Sequence, residues 1–336
     1  MTRRKLSKQQ LVRIQGNQQA QSERHIVEAG NADIQGTQYR GLVISHFGQQ
    51  LDIEALDGEL CGSLVRCFQR SNLDALVCGD QVIWREGVPE GVVVAMQPRR
   101  SLLQRPNKFN ELKPVAANID RIVVVIAPQP EPHYNLIDRY LVAAAACGIP
   151  VLLLLNKADL LDADNRPGLD ALLQLYRSLG YATATVSTRT RAGLDALGLI
   201  LAGHTSIFVG QSGVGKSALV NVLLPESVTL EGTLSSAVDK GRHTTTAARL
   251  YHLAQGGDLI DSPGIREFGL WHMDPAQLLQ GFVEFRPFLG HCRFRDCAHT
   301  DVQQCRLLQA VQEGAIDPRR LDSYRFILTS MTLDKR

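Results

Sequence analysis

Residues 205–224 read Thr205-Ser206-Ile207-Phe208-Val209-Gly210-Gln211-Ser212-Gly213-Val214-Gly215-Lys216-Ser217-Ala218-Leu219-Val220-Asn221-Val222-Leu223-Leu224. A short apolar run enters a glycine-rich turn, and a segment with helical spacing leaves it. Gly210 to Ser217 matches GxxxxGK[ST] at every defined position. The glycines let the backbone turn tightly and aim its N–H groups at phosphate oxygens, and the following helix adds positive partial charge. Gly210, Gln211, Ser212, Gly213, Val214, Gly215, Lys216, Ser217 and Ala218 are therefore candidate nucleotide contacts. Lys216 would reach the β- and γ-phosphates, and the Ser217 hydroxyl would ligate Mg²⁺.

The surrounding chain repeats this strand-then-helix alternation. The β-branched run in Asp120–Ile126 predicts a strand covered on both faces, and strands are also expected at Val151–Leu155 and Ala182–Val186. Helices are expected at Asn135–Cys147, Gly168–Leu179, Ala192–Leu201 and Ser217–Leu224. The pattern is that of a doubly wound α/β domain over 102–270. Two further motifs sit at its strand ends. Asn156-Lys157-Ala158-Asp159 follows Val151–Leu155, where a carboxylate can accept both the N1–H and the exocyclic amine of guanine. Ser187, after the next strand, is a candidate second base contact. Asp261-Ser262-Pro263-Gly264 follows Leu259-Ile260; Asp261 can hold Mg²⁺ through water, and the Gly264 N–H can meet a γ-phosphate. Between the two phosphate motifs, Gly241-Arg242-His243-Thr244-Thr245-Thr246 suits a switch loop, one of whose threonines completes the Mg²⁺ shell; an ordinary polar loop is the plainer alternative.

Guanine-recognition loops ordinarily follow the phosphate loop in the chain, whereas here Asn156 precedes Gly210. The same sheet results if the original ends are joined and the chain is opened elsewhere. The opening falls just after Asp261–Gly264, so that segment leads straight into the C-terminal region.

On the N-terminal side, residues 37–98 read as five short strands with glycine-rich punctuation: Leu42–Ser45, Leu51–Ala55, Leu60–Phe68, Gln81–Trp84 and Gly91–Met96. That spacing predicts a small OB-fold β-barrel, a surface for oligonucleotides or for proteins alike. Residues 1–36 form a tail in which Arg3, Arg4, Lys5, Lys8, Arg13 and Arg24 oppose Glu23 alone over the first 25 positions. It is read either as a disordered solubilising segment or as an arm that docks on phosphates. Residues 275–336 are expected to be mostly helical, with helices at Pro275–Gly281, Asp301–Glu313 and Arg319–Thr329. Cys292, Cys297, His299 and Cys305 offer three thiolates and one imidazole there, a set that suits a closed structural Zn²⁺ site; three buried thiols and a surface histidine are the alternative. The remaining cysteines, Cys61, Cys67, Cys78 and Cys147, are expected to be buried thiols.

A hydrophobic content of 44%, a charged content of 21% and a net charge of +2 place the chain among globular proteins. No apolar run approaches a membrane span and no export signal opens the chain, so a cytoplasmic protein with no membrane association is expected, and a monomer.

Together these motifs resemble the RsgA/YjeQ family of circularly permuted GTPases, over nearly the whole chain. The resemblance implies a late assembly factor of the small ribosomal subunit that binds GTP/GDP, Mg²⁺ and one structural Zn²⁺. It implies contacts with rRNA and ribosomal proteins, stimulation of hydrolysis by that subunit, and release once GTP is hydrolysed. It also favours Thr245 as the Mg²⁺ ligand. Ile265 stands where many GTPases carry a glutamine that positions water, so another group must help. His243 is the nearest candidate in sequence and the one the resemblance indicates; contact with RNA or solvent is its alternative role. The rival reading is an RNA-binding scaffold in which nucleotide is structural and turnover incidental.

Overall fold

The computed structural model describes residues 37–48, 50–106, 111–225, 248–261, 273–295, 297–299 and 304–333. They fall into two compact units that part between Arg99 and Arg100.

In the first unit, β2 (Gln50–Ala55) shows the two-residue alternation most plainly. Leu51, Ile53 and Ala55 are buried while Gln50, Asp52 and Glu54 stay half-exposed, because side chains alternate across a pleated strand. β1 (Gln38–Phe47) pairs with β2, β2 with β3 (Leu64–Gln69), and β3 in parallel with β5 (Gly91–Met96). β5 then pairs with β4 (Gln81–Arg85), and β4 returns to β1. The ring closes, which leaves this sheet no free edge. This is the expected OB-fold barrel, filled by Val43, Leu51, Ile53, Cys67, Val82, Trp84 and Val93. Its last residue is anchored: the Arg99 guanidinium grips wholly buried Asp80 with two bonds of 2.7 Å, and Asp80 also accepts the Val77 N–H at 2.8 Å. That pairing offsets the desolvation of the carboxylate and raises the Arg99 pKa.

The strand expected from Leu60 starts only at Leu64. Residues 60–63 instead turn the hairpin, with the Gly62 N–H donating to the Ala55 carbonyl at 2.8 Å. Cys61 is consequently exposed, against its expected burial; Cys67 and Cys78 are buried and Cys147 is half-buried.

The second unit opens with an antiparallel ribbon that the sequence pattern did not announce, β6 (Leu102–Pro106) and β7 (Leu112–Ala117). There follow β8 (Arg121–Ile126), α1 (Tyr134–Ala146), β9 (Val151–Leu155), α2 (Arg166–Ser178), β10 (Ala182–Thr185) and α3 (Leu194–Leu201). Next come β11 (Thr205–Val209), α4 (Lys216–Leu223), β12 (Arg249–His252) and β13 (Asp258–Asp261). The strand order is β10-β9-β8-β11-β13-β12, parallel except for β12. Helices cover both faces, so β8 and β9 are continuous apolar runs, buried at every residue but the first. The chain leaves β8 outward through β9 and β10, then crosses back to place β11 on the other flank of β8. A crevice opens at such a switch point, beyond the carboxyl ends of the strands.

The C-terminal helices pack on α1. They are α5 (Pro275–Gly281), a 3-10 segment Val283–Phe288, α6 (Arg306–Gln312) and α7 (Pro318–Leu333). Asp274 and Gln277 form a reciprocal capping box that starts α5. Cys305 occupies the position before α6, so the helix expected from Asp301 begins only at Arg306. Leu278, Phe282, Phe285, Leu307, Leu321, Tyr324 and Ile327 close a core into which α1 contributes Val142. No helix among the described residues is long and apolar enough to cross a membrane.

Candidate functional site

β11 delivers the chain to Gly210 at the switch point. Gly210 has φ +138°, and a Cβ there would stand 2.3 Å from the Val125 carbonyl oxygen, so the loop can lie against the end of β8 only as glycine. Gly215, at φ +94°, plays the second such part: its missing Cβ leaves room for the Asn156 amide, which would be 2.4 Å away. Buried Val214 fastens the loop from beneath. Lys216 Nζ donates to the carbonyls of Gly210 and Gln211, both at 2.7 Å, which holds the ammonium over the loop. Ser212, Gly213, Ser217 and Ala218 face solvent.

The Asn156–Asp159 loop, at the end of β9, meets this loop directly. Asn156 is fully buried; its Nδ2 donates to the Val214 carbonyl at 3.0 Å, and its backbone N–H to Ile126 at 2.8 Å. Its Oδ1 is buried with no hydrogen-bond partner among the described residues, which is uncommon away from functional sites. Lys157 takes a left-handed backbone, φ +57°, and its Nζ donates to the Gln129 carbonyl at 2.9 Å. The Ala158 N–H donates to Val186 at 3.0 Å, which brings in the loop after β10. There the wholly buried Ser187 donates its hydroxyl to Asp159 Oδ1, and Arg189 stands 3.9 Å from the other oxygen. The Ser187 hydrogen bond, aided by Arg189 and Lys157, holds the Asp159 carboxyl below the usual range. Asp159 is thus a fixed, ionised acceptor. Gln129 and Arg189 were not singled out from the sequence: Gln129 acts through a backbone carbonyl, which no residue type encodes.

Asp261 ends β13 and shares a small cleft with Lys216 and Ser217, walled by Phe208, Val220, Leu259 and Ile260. A carboxylate, a hydroxyl and an ammonium around one opening suit a hydrated divalent cation beside phosphate oxygens. His243 and Thr245, with Thr244, Thr246, Gly264 and Ile265, lie outside the described residues, as does the tail 1–36.

The four metal-ligand candidates converge. One ligand atom each from Cys292, Cys297, His299 and Cys305 all lie within 4.8 Å of one another. Cys292 Sγ is 3.6 Å from His299 Nδ1 and 4.0 Å from Cys305 Sγ, and His299 Nδ1 is 3.4 Å from Cys305 Sγ. Tetrahedral Zn²⁺ with its usual bond lengths sets such atoms about 3.5–3.8 Å apart, so the set fits that ion. The Arg306 N–H donates to Cys292 Sγ at 3.3 Å and orients it. Burial lowers the His299 pKa, favouring the neutral, ligating imidazole, and pushes the Cys305 thiol up to about 11; a metal entering here must displace that proton.

Comparisons with known proteins agree with this architecture. A family model described as RsgA GTPase matches residues 96–271. The chain is 55% identical over 338 residues to the small ribosomal subunit biogenesis GTPase RsgA of Azotobacter vinelandii, covering 98% of each sequence. Among solved structures, YjeQ from Thermotoga maritima matches with a TM-score of 0.70 and 28% identity, over 88% of this chain and 99% of that one. YloQ, described as a circularly permuted GTPase, matches with a TM-score of 0.70 and 26% identity, over 91% and 99%.

Proposed function

The chain belongs to the RsgA GTPase family, and from that premise we propose that it is an assembly factor of the small ribosomal subunit whose guanine-nucleotide site is built from the loops after β9, β10, β11 and β13. One observation carries the assignment of the site: the 3.0 Å bond from Asn156 to Val214, which ties a base-reading loop to a phosphate loop in one crevice. Membership in a GTPase family disfavours the alternative of a scaffold holding nucleotide only as a structural element.

Asp159 accepts from guanine N1–H and the exocyclic amine, while Asn156 and Ser187 keep that loop in place. Adenine offers the wrong pattern, and leaving the ionised carboxylate unpaired costs affinity. The loop Gly210–Ser217 and the first turn of α4, with Ala218, surround the phosphates, and Lys216 leaves its carbonyl partners to meet the β- and γ-oxygens. Mg²⁺, held by Ser217 and Thr245 with Asp261 acting through water, would neutralise charge developing on the transferred phosphoryl group. His243 orients the attacking water, a task the aliphatic Ile265 cannot perform. The Cys292/Cys297/His299/Cys305 set holds Zn²⁺ as a closed structural site.

In this reading the tail 1–36 and the barrel over 37–98 contact rRNA, the unit 102–270 turns over GTP, and the helices of 275–336 provide a further contact. The protein acts as a monomer in the cytoplasm, where ribosomes are assembled, and leaves the subunit once GTP is hydrolysed.

Turnover of GTP and ATP, measured alone and with purified small or large ribosomal subunits, tests the proposal. GTP should be preferred, and small subunits alone should raise its turnover by at least about tenfold, in the manner of switch GTPases completed by a partner. Equal stimulation by both subunits, or by neither, overturns it. Elemental analysis should return one zinc per chain, and chelation should lower the melting temperature of the C-terminal helices.

A further inference from the structure

We infer that Arg319 and Arg320, consecutive on α7, are positioning residues for the nucleotide site: they clamp the first two turns of α1, so the C-terminal helices set how tightly guanine nucleotide is held. The inference rests on the nucleotide reading above.

Arg320 is wholly buried and is held from three elements. Its Nε and Nη2 donate to Glu284 at 2.5 and 3.2 Å, and its Nη1 donates to Asp138 of α1. Tyr176 of α2 donates its hydroxyl to the same Asp138 oxygen at 2.6 Å. Burial, with Asp138 beside it, keeps the Tyr176 pKa well above its ordinary value, so the phenol stays a donor. The guanidinium plane lies 4.5 Å from the Phe282 ring centroid and 5.5 Å from that of Tyr176. Burying one cation and two carboxylates adds little net stability over an apolar pair of the same volume; what hydrogen-bonded charges add is a single allowed register.

Arg319 grips the same helix from outside. Asp317 accepts from its Nε and Nη2 at 2.9 and 2.7 Å, which fixes the guanidinium and leaves Nη1 to donate to the Tyr134 hydroxyl at 2.8 Å. Tyr134 is the first residue of α1, and its ring lies 5.2 Å beneath the guanidinium. The two arginines therefore hold α1 at Tyr134 and again one turn later at Asp138.

The start of α1 is also what the nucleotide loops lean on. Leu136, Ile137 and Tyr140 form one wall of an apolar cleft whose other wall is Gly210, Gln211 and Val214. The connection leading into α1 supplies the Gln129 carbonyl that receives Lys157. Val214, which accepts from Asn156, shares that cleft with α1, and Lys157 bonds the connection that leads into α1. A shift of α1 relative to the sheet disturbs both.

The test uses the full chain, with GDP dissociation followed by a fluorescent GDP analogue beside the melting temperature. Arg319→Ala and Tyr134→Phe remove the same 2.8 Å bond from opposite ends. Each should speed dissociation about three- to tenfold, and the double variant should be no faster than Arg319→Ala alone, since the bond to Tyr134 is already gone there. A general loosening of the fold would instead act independently of the Lys157 link. Arg319→Ala should therefore have a smaller effect in a Lys157→Ala background than in the parent, and equal effects in the two backgrounds overturn the inference. So do dissociation rates within twofold of the parent for both single variants. Arg320→Lys, the buried arm, is expected to speed dissociation further, and the surface variants decide the matter should it fail to fold. A parent chain that holds no GDP would sink the nucleotide reading, whereas a parent that binds it with unaltered variants sinks only the clamp.

Discussion

The two loops that meet at Asn156 and Val214 are built on opposite principles. The phosphate loop takes its shape from the backbone: Gly210, Gly213 and Gly215 all have positive φ, and Lys216 bonds the loop's own carbonyls. The Asn156–Asp159 loop, to which we assign base recognition, takes its shape from side chains that reach into other loops, with Asn156 on Val214, Lys157 on Gln129 and Asp159 on Ser187. The first is autonomous, and the second is a composite of four connections. Changes in the β10–α3 connection, which carries Ser187, should therefore alter guanine recognition while leaving phosphate binding intact.

Three substitutions, from the largest expected effect to the smallest, bear on this contrast. Lys216→Ala removes the charge at the bond being broken and should lower single-turnover GTP hydrolysis by at least about a hundredfold. A loss confined to affinity, with the rate of bound GTP unchanged, would contradict the autonomy of the phosphate loop. Asn156→Ala deletes the tie between the loops and leaves the buried Val214 carbonyl unsatisfied, at about 1–3 kcal/mol. GDP affinity should fall roughly tenfold, by calorimetry, and discrimination against ADP should narrow with it. Ser187→Ala should weaken GDP binding only about two- to fivefold at neutral pH, because Arg189 and Lys157 still favour the ionised Asp159 carboxylate there. Its clearer signature is in acid. Ser187 depresses the Asp159 pKa, so binding that needs the carboxylate is retained down to that lowered pKa and lost below it. Without Ser187 the carboxylate protonates sooner as pH falls, and the acid limb of GDP binding should move to higher pH.

The glycine motif and the Asn156–Asp159 string were legible in sequence because they depend on residue types at fixed spacing. So was the Cys/His set, whose members lie close in the chain and converge in space. The ribbon β6–β7 was not, since Leu102 to Pro106 does not alternate and Pro106 and Pro114 interrupt the pattern. Nor was β12, a strand of four residues with only Leu250 buried. Arg320 looks like any helical arginine; its burial depends on Asp138 and Glu284, far away in the chain. Side-chain convergence from distant segments leaves no local periodicity to read.

The strand order also has a consequence for synthesis. β8, β9 and the Asn156–Asp159 loop are synthesised about 50 residues before Gly210. At ~5–20 residues per second that is a lead of several seconds. Throughout it the second edge of β8 lacks β11, and the Asn156 amide lacks the Val214 carbonyl to which it will donate. Synthesis of β11 and the loop after it supplies both the missing neighbour of β8 and the carbonyl that ties down Asn156. A chain that ends before Gly210 is therefore expected to lack the tie that holds the Asn156 side chain in place.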